Sequence, residues 1–83
     1  MPTIDIYTTP TCGFCHALKA FLNEREVNYT AHDITADPAA LAEMQSLSGG
    51  NMGVPFIVYN KGEADQSVQT GFDASKVSQE LNL

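Results

Sequence analysis

Tyr7-Thr8-Thr9-Pro10-Thr11-Cys12-Gly13-Phe14-Cys15 decides how this chain is read, because it joins a strand pattern to a helix pattern through a turn carrying two cysteines. Before the turn, Thr3 to Tyr7 (TIDIY) is β-branched and aromatic and is ended by Thr8, Thr9 and Pro10, so a first strand is expected. After it, Gly13 to Arg25 shows helical spacing. Phe14, Leu18, Phe21, Leu22 and Arg25 fall on or near one face, with the good helix formers Ala17, Lys19 and Ala20 between them. Cys12 is thus expected at the positive end of a helix, where unpaired N–H groups and the helix dipole favour an anion. A cysteine in such a turn ionises more readily than a free one, so Cys12 is expected as a thiolate and Cys15, one turn further in, as a more buried thiol. That pair can do two-step chemistry. Cys12 attacks a substrate disulfide, and Cys15, brought alongside by the i, i+3 spacing, attacks the mixed disulfide and releases the reduced substrate.

Working outward, Asn28 to Ile34 (NYTAHDI) is a weaker strand candidate, and Asp37-Pro38 is a helix start, an acidic cap followed by proline at the first helical position. Leu41, Met44 and Leu47 give that helix its apolar stripe, and Ser48-Gly49-Gly50-Asn51 ends it. Val54 to Tyr59 (VPFIVY) is the most apolar segment and suits a fully buried strand with a proline at its start. A turn at Asn60 to Glu63, a polar edge-like strand from Ala64 to Thr70, and a last helix from Asp73 to Leu81 complete the order βαβαββα. The expectation is an α/β fold. One four-stranded mixed sheet, parallel in its first half and antiparallel in its second, would carry helices on both faces. No repeat, linker or low-complexity stretch divides residues 1–83, which read as one domain.

Composition narrows the function. With 83 residues, 43% hydrophobic and 17% charged, the chain can pack a core, but a small one. Four Lys and Arg against ten Asp and Glu leave a net charge of −6 and no basic cluster, so nucleic acid is not an expected partner. No apolar run is long enough to span a bilayer, and Met1 to Tyr7 lacks the basic and apolar regions of a signal peptide, so a cytoplasmic protein that stays off membranes is expected. In a reducing cytosol, two cysteines three apart are catalytic or metal-binding more often than a structural staple. Zinc would need both His16 and His32 to complete four ligands, and neither has a paired spacing. Cys12 to His16 spells C-G-F-C-H, the c-type haem signature, with Met44 or Met52 as an imaginable axial ligand, but the missing export signal and the strand-rich pattern oppose it. Inert buried thiols are a poor match to a turn at a helix start.

Two further places bear on the site. A residue before proline is held extended, so Val54 can offer its N–H and C=O to an extended ligand backbone, while a cis Val54-Pro55 bond is a minority outcome on sequence alone. Asp73 opens a helix and reads first as a cap; the same free N–H groups could bind a carboxylate while Asp73 accepts from a ligand amine. Phe14 and Phe72 read equally as substrate contacts or as core and lid residues. Lys19 reads as a solvated helix residue with a small share in thiolate stabilisation.

Over nearly its whole length the chain resembles the glutaredoxin family of the thioredoxin fold. Tyr7 to Cys15 looks like the family's strand, loop and active-site turn, Gly53-Val54-Pro55 matches the position of its Thr-Val-Pro motif, and Gly71-Phe72-Asp73 its glycine-aspartate ligand loop. The Tyr-Thr-Thr opening, the CGFC turn and the Gly-Gly-Asn run look most like mycoredoxins, which work with mycothiol. Thr70-Gly71-Phe72 is also similar to NrdH-type redoxins, which thioredoxin reductase reduces and which supply electrons to ribonucleotide reductase. The resemblance implies a cis Val54-Pro55 bond opposite Cys12, and a groove for a thiol cofactor formed by Val54, Pro55, Gly71, Phe72 and Asp73. It departs from the family where Thr9 replaces a common lysine and where Met52 and Gly53 replace commoner polar residues, changes that bear on glutathione recognition more than on redox chemistry. The expected protein is a monomeric thiol-disulfide oxidoreductase without a tightly bound cofactor or metal. Cys12 is its nucleophile and Cys15 its resolving thiol, protein or mixed disulfides are its substrates, and a low-molecular-weight thiol, glutathione or mycothiol, is its reductant. The alternatives are an NrdH-type redoxin and, from another class, an iron-sulfur module held by the two cysteines between subunits.

Overall fold

The computed structural model describes residues 3–50 and 53–81; Asn51 and Met52, named above for the turn, the departure from the family and the haem reading, lie outside them, as does Met1. The elements run β1 (Ile4–Thr8), α1 (Gly13–Glu24), β2 (Thr30–Asp33), α2 (Pro38–Ser48), β3 (Phe56–Tyr59), β4 (Ser67–Thr70) and α3 (Ala74–Leu81). The four strands form one sheet in the order β2-β1-β3-β4, with β1 and β2 parallel and the β1–β3 and β3–β4 pairs antiparallel.

Alternation of side chains along the strands gives each face its own core. On one face Ile4, Ile6, Ile57 and Tyr59 pack with Leu18 and Leu22 of α1 and Val77 of α3. On the other, Tyr7, Phe56 and Val58 pack with Ala40 and Met44 of α2 and with Ile34. Because both faces are covered, all four residues of β3 are buried, which is why its sequence is continuously apolar and does not alternate. Each buried leucine or methionine contributes roughly 1.5–3 kcal/mol over its exposed state.

The helix ends are closed locally. Asp37 caps α2 by accepting from the amides of Ala39 at 3.1 Å and Ala40 at 3.3 Å, and Pro38 occupies the first turn, where its missing N–H costs nothing. At the other end Gly49 takes φ +69°, a conformation glycine adopts without steric penalty, and Gly50 donates to the Gln45 carbonyl at 2.9 Å. Across the α2 face, Glu43 accepts from the buried Tyr7 hydroxyl and from Lys61 Nζ at 2.5 Å, tying α2 to β1 and to the β3–β4 turn. The Lys61 hydrogen bond first and the Tyr7 bond second hold the Glu43 carboxyl below its ordinary range.

Four expectations shift. The buried stripe of α1 is Cys15, Leu18 and Leu22, whereas Phe14 stands 69% exposed and Arg25, beyond the helix, lies over the Phe21 ring at 3.7 Å. The segment read as a strand from Val54 enters the ladder only at Phe56, because Pro55 has no N–H to give and the Val54-Pro55 bond is cis, turning the chain just before the sheet. The segment read as a strand from Ala64 is spent on turns as far as Gln66. Glu63 donates to the Asn60 carbonyl and Gln66 to that of Glu63, so pairing begins at Ser67. Likewise β2 keeps only the centre of the expected Asn28 to Ile34 run. Among the described residues, no helix is long and apolar enough to cross a membrane.

Candidate active site

The site is assembled where β1 ends and α1 begins. Thr9 to Cys12 forms a tight turn, closed by the Cys12 amide donating to the Thr9 carbonyl at 3.3 Å. Cys12 is the N-cap of α1, with extended backbone angles (φ −84°, ψ 112°), and its side chain takes the place that serine or aspartate commonly fills. Its Sγ accepts from the Cys15 amide at 3.2 Å and lies 3.8 Å from the Val54 carbonyl, close enough for the thiol to donate weakly to it. An amide aimed at a capping sulfur is the arrangement that holds negative charge at a helix start.

The two cysteines are both free and differ in access: Cys12 is half-buried and Cys15 has 0% exposure. Burial, and next the hydrogen bond to Cys12, push the Cys15 thiol up to about 11 from an ordinary 9.0, while the Thr9 backbone and the Lys19 charge pull weakly the other way. One sulfur is therefore reachable from solvent and the other is held protonated behind it.

Val54 and Pro55 close the opposite wall. The Pro55 carbonyl accepts from the Gly71 amide at 2.8 Å, extending the β3–β4 ladder by one bond past Phe56 and Thr70. Gly71 has φ +85°, in the left-handed region, which lets the chain leave β4 toward α3. The turn, the Gly53–Pro55 segment and Gly71 thus meet through Cys12, Val54 and Pro55. Phe72 packs partly buried against the α1 and α3 core, edge-on to Phe21 at 5.5 Å between ring centres. Asp73 is exposed and caps α3, with Oδ1 accepting from Ser75 at 3.0 Å and Lys76 at 3.3 Å. Of the residues expected to form the groove, Val54 meets the sulfur through its carbonyl.

His16, weighed in the sequence only as a ligand for zinc or haem, reaches back over the helix start to the Pro10 carbonyl at 2.9 Å. A signal for this was present: a ring four residues past a helix cap lies within reach of the preceding turn. Among the described residues, no group of three or more His, Cys, Asp or Glu side chains is placed to hold a metal ion.

A βαβ unit, a β-hairpin and a terminal helix around one mixed sheet, with a dithiol at the first strand-to-helix turn facing a cis proline, define a thioredoxin-fold redox protein. The family profile described as Glutaredoxin matches residues 4–63. A Mycobacterium tuberculosis protein named for the glutaredoxins is 36% identical over 78 residues, covering 94% of this chain and 88% of the relative. The chain belongs to the glutaredoxin family. Among solved structures, a mutant of a thioredoxin-like protein superposes with a TM-score of 0.84 at 29% identity, covering 99% of this chain and 97% of that one. NrdH-redoxin from Escherichia coli superposes with a TM-score of 0.75 at 22% identity, covering 93% and 92% respectively, a likeness of fold.

Proposed function

We propose that this protein is a dithiol oxidoreductase that reduces protein or mixed disulfides and is regenerated by a low-molecular-weight thiol. The observation that carries the reading is the pairing of a half-buried Cys12 at the cap of α1 with a fully buried Cys15 whose amide points at the Cys12 sulfur. The Cys12 thiolate attacks one sulfur of R–S–S–R′, forming Cys12–S–S–R and expelling R′S⁻, which takes up a proton. Cys15 gives its proton to solvent and attacks Cys12 Sγ, expelling RS⁻ and leaving a Cys12–Cys15 disulfide. Two electrons have then passed to the substrate, and two molecules of a small thiol, oxidised to their disulfide, restore the dithiol. The Val54 carbonyl, 3.8 Å from Sγ, sits where an extended substrate backbone would lie alongside the attacked bond.

Mycothiol suits the site better than glutathione. Thr9 supplies no cation for a peptide carboxylate, Asp73 is committed to capping α3, and the net charge of −6 opposes an anionic thiol. The absence of a cation at Thr9 also suits a second reading, in which a protein reductant serves, as the thioredoxin-like activity described for the NrdH-redoxin neighbour suggests.

Oxidised protein is to be reduced by glutathione, by mycothiol and by thioredoxin reductase in turn, each coupled to NADPH consumption. Turnover with mycothiol and not with thioredoxin reductase supports the reading; the reverse replaces it with the NrdH type. Cys12→Ser should be inactive in every arm, and Cys15→Ser should trap mixed disulfides with protein substrates. Full disulfide reductase activity in Cys12→Ser would refute the assignment of the nucleophile.

A further inference from the structure

Pro10 can only accept through its carbonyl, so in the 2.9 Å contact His16 Nε2 is the donor. The same residue makes a second bond one turn away, its backbone amide donating to the Cys12 carbonyl at 3.2 Å. His16 therefore holds the redox turn at two carbonyls, Pro10 and Cys12, on either side of Thr11. The turn's internal closure is the 3.3 Å bond from Cys12 to Thr9, and Pro10 and Thr11 are exposed.

Cys12 Sγ has to stay within reach of Cys15 through two displacements, and the Cys15 side chain behind it is buried in the core. Reaction between two such groups is fast in proportion to how firmly both are oriented. α1 and its buried stripe orient Cys15; Cys12 is oriented by the turn together with its Sγ contacts to the Cys15 amide and the Val54 carbonyl.

We propose that His16 is a positioning residue for Cys12, a clasp whose ring N–H to the Pro10 carbonyl keeps the nucleophile's turn seated on α1. It acts through Cys12 and touches no substrate. The inference rests on the proposed oxidoreductase function for its kinetic consequence, while the clasp itself is independent of it. His16 is exposed, so the gain is that of one water-accessible hydrogen bond.

The test compares His16→Ala, His16→Phe and His16→Gln in the otherwise native protein. The rate of disulfide formation between Cys12 and Cys15 is followed as the reduced protein reduces cystamine, and amide hydrogen exchange is measured at Cys12 and Cys15. Phenylalanine keeps the ring bulk without a donor, and glutamine keeps a donor without the imidazole. His16→Ala and His16→Phe should each react about fivefold more slowly, about 1 kcal/mol at 1.36 kcal/mol per tenfold, with faster exchange at both amides. His16→Gln should recover to within about twofold of the native rate, with exchange restored; loss of bulk or general destabilisation would not produce that pattern. An unchanged rate and exchange in His16→Ala, a native rate in His16→Phe, or a His16→Gln as slow as His16→Ala would each overturn the clasp. A native protein that leaves cystamine intact, with exchange still faster in His16→Ala and restored in His16→Gln, would remove the oxidoreductase function and keep the clasp.

Discussion

Burial of Cys15 makes the second displacement a step that pH controls. In the reduced protein its thiol is pushed up to about 11, so at neutral pH only about one molecule in ten thousand carries the Cys15 thiolate. Once Cys12 is joined to a substrate sulfur, its charge and its hydrogen bond no longer raise Cys15, and burial is left as the principal cause. The resolving thiol then ionises below 11, yet its rate of attack should still climb close to tenfold per pH unit through the neutral range, since the thiolate is the attacking species. Dithiobis(nitrobenzoate) separates the two steps. Reduced protein mixed with one equivalent releases one coloured thiolate as Cys12 attacks, and a second as Cys15 resolves the mixed disulfide. Stopped-flow mixing from about pH 6 to about pH 8 should show the second phase accelerating by about a hundredfold. In Cys15→Ser the second phase should vanish at every pH. A second phase that changes less than about threefold over that range would refute the reasoning, because it would mean that burial does not keep Cys15 protonated.

Other outcomes follow from the packing and the caps. Leu22→Ala, at a fully buried position of α1, should cost about 2–5 kcal/mol in urea unfolding, because the surrounding core closes only partly over the lost side chain. Asp73→Ala should cost about 1 kcal/mol by leaving the Ser75 and Lys76 amides without their acceptor, and Asp73→Asn should recover most of it. Alkaline pH should destabilise the fold: burial, first among the causes, pushes Tyr59 up to about 12 from 10.0 and Cys15 to about 11 from 9.0, and it raises Tyr7 as well. The folded state then keeps protons that the unfolded chain gives up, so stability is complete below about pH 9 and is lost as pH rises through the folded values. Urea midpoints at about pH 8 and about pH 11 measure the loss, and Tyr59→Phe should reduce it.

Legibility in the sequence tracks how local each interaction is. The Asp37-Pro38 start of α2 and its glycine end are settled by bonds spanning a few residues, and the sequence shows both. The capping place of Cys12 is equally local, since its partner is three residues away. Phe14 misleads because helical spacing ranks it with Leu18, although the stripe that packs is Cys15, Leu18 and Leu22; a cysteine read for its reactivity is easily left out of a core it belongs to. The Val54-Pro55 isomer is not local at all. The two forms differ by only about 0.5–1 kcal/mol in an isolated chain, so contacts far along the sequence decide, and only the family resemblance implies the cis form. Glu43 with Tyr7 and Lys61 is hidden for the same reason, being a link between α2, β1 and the β3–β4 turn that exists only once the sheet register is set.

The acidic balance acquires a position once the cations are placed. Lys61 is engaged with Glu43 and Arg25 lies over Phe21, both away from the redox turn, while the charge of Lys19 is felt at the buried Cys15 and at Asp33. Lys76 lies on α3, in a cleft beside β4 with Glu80 and Gln79. In the turn and across from it, Thr9, Pro10, Thr11, Gly13, Phe14 and Val54 carry no charge, and the exposed His16 ring lies on the turn at the Pro10 carbonyl. A partner approaching Cys12 therefore meets backbone groups, the exposed Phe14 ring and the His16 imidazole, set in a molecule whose long-range field is negative. Such a rim selects by shape and main-chain pairing, and repels anions only weakly and from a distance, an effect that salt removes. Neutral small thiols and extended protein segments, the partners proposed above, would meet little opposing charge there.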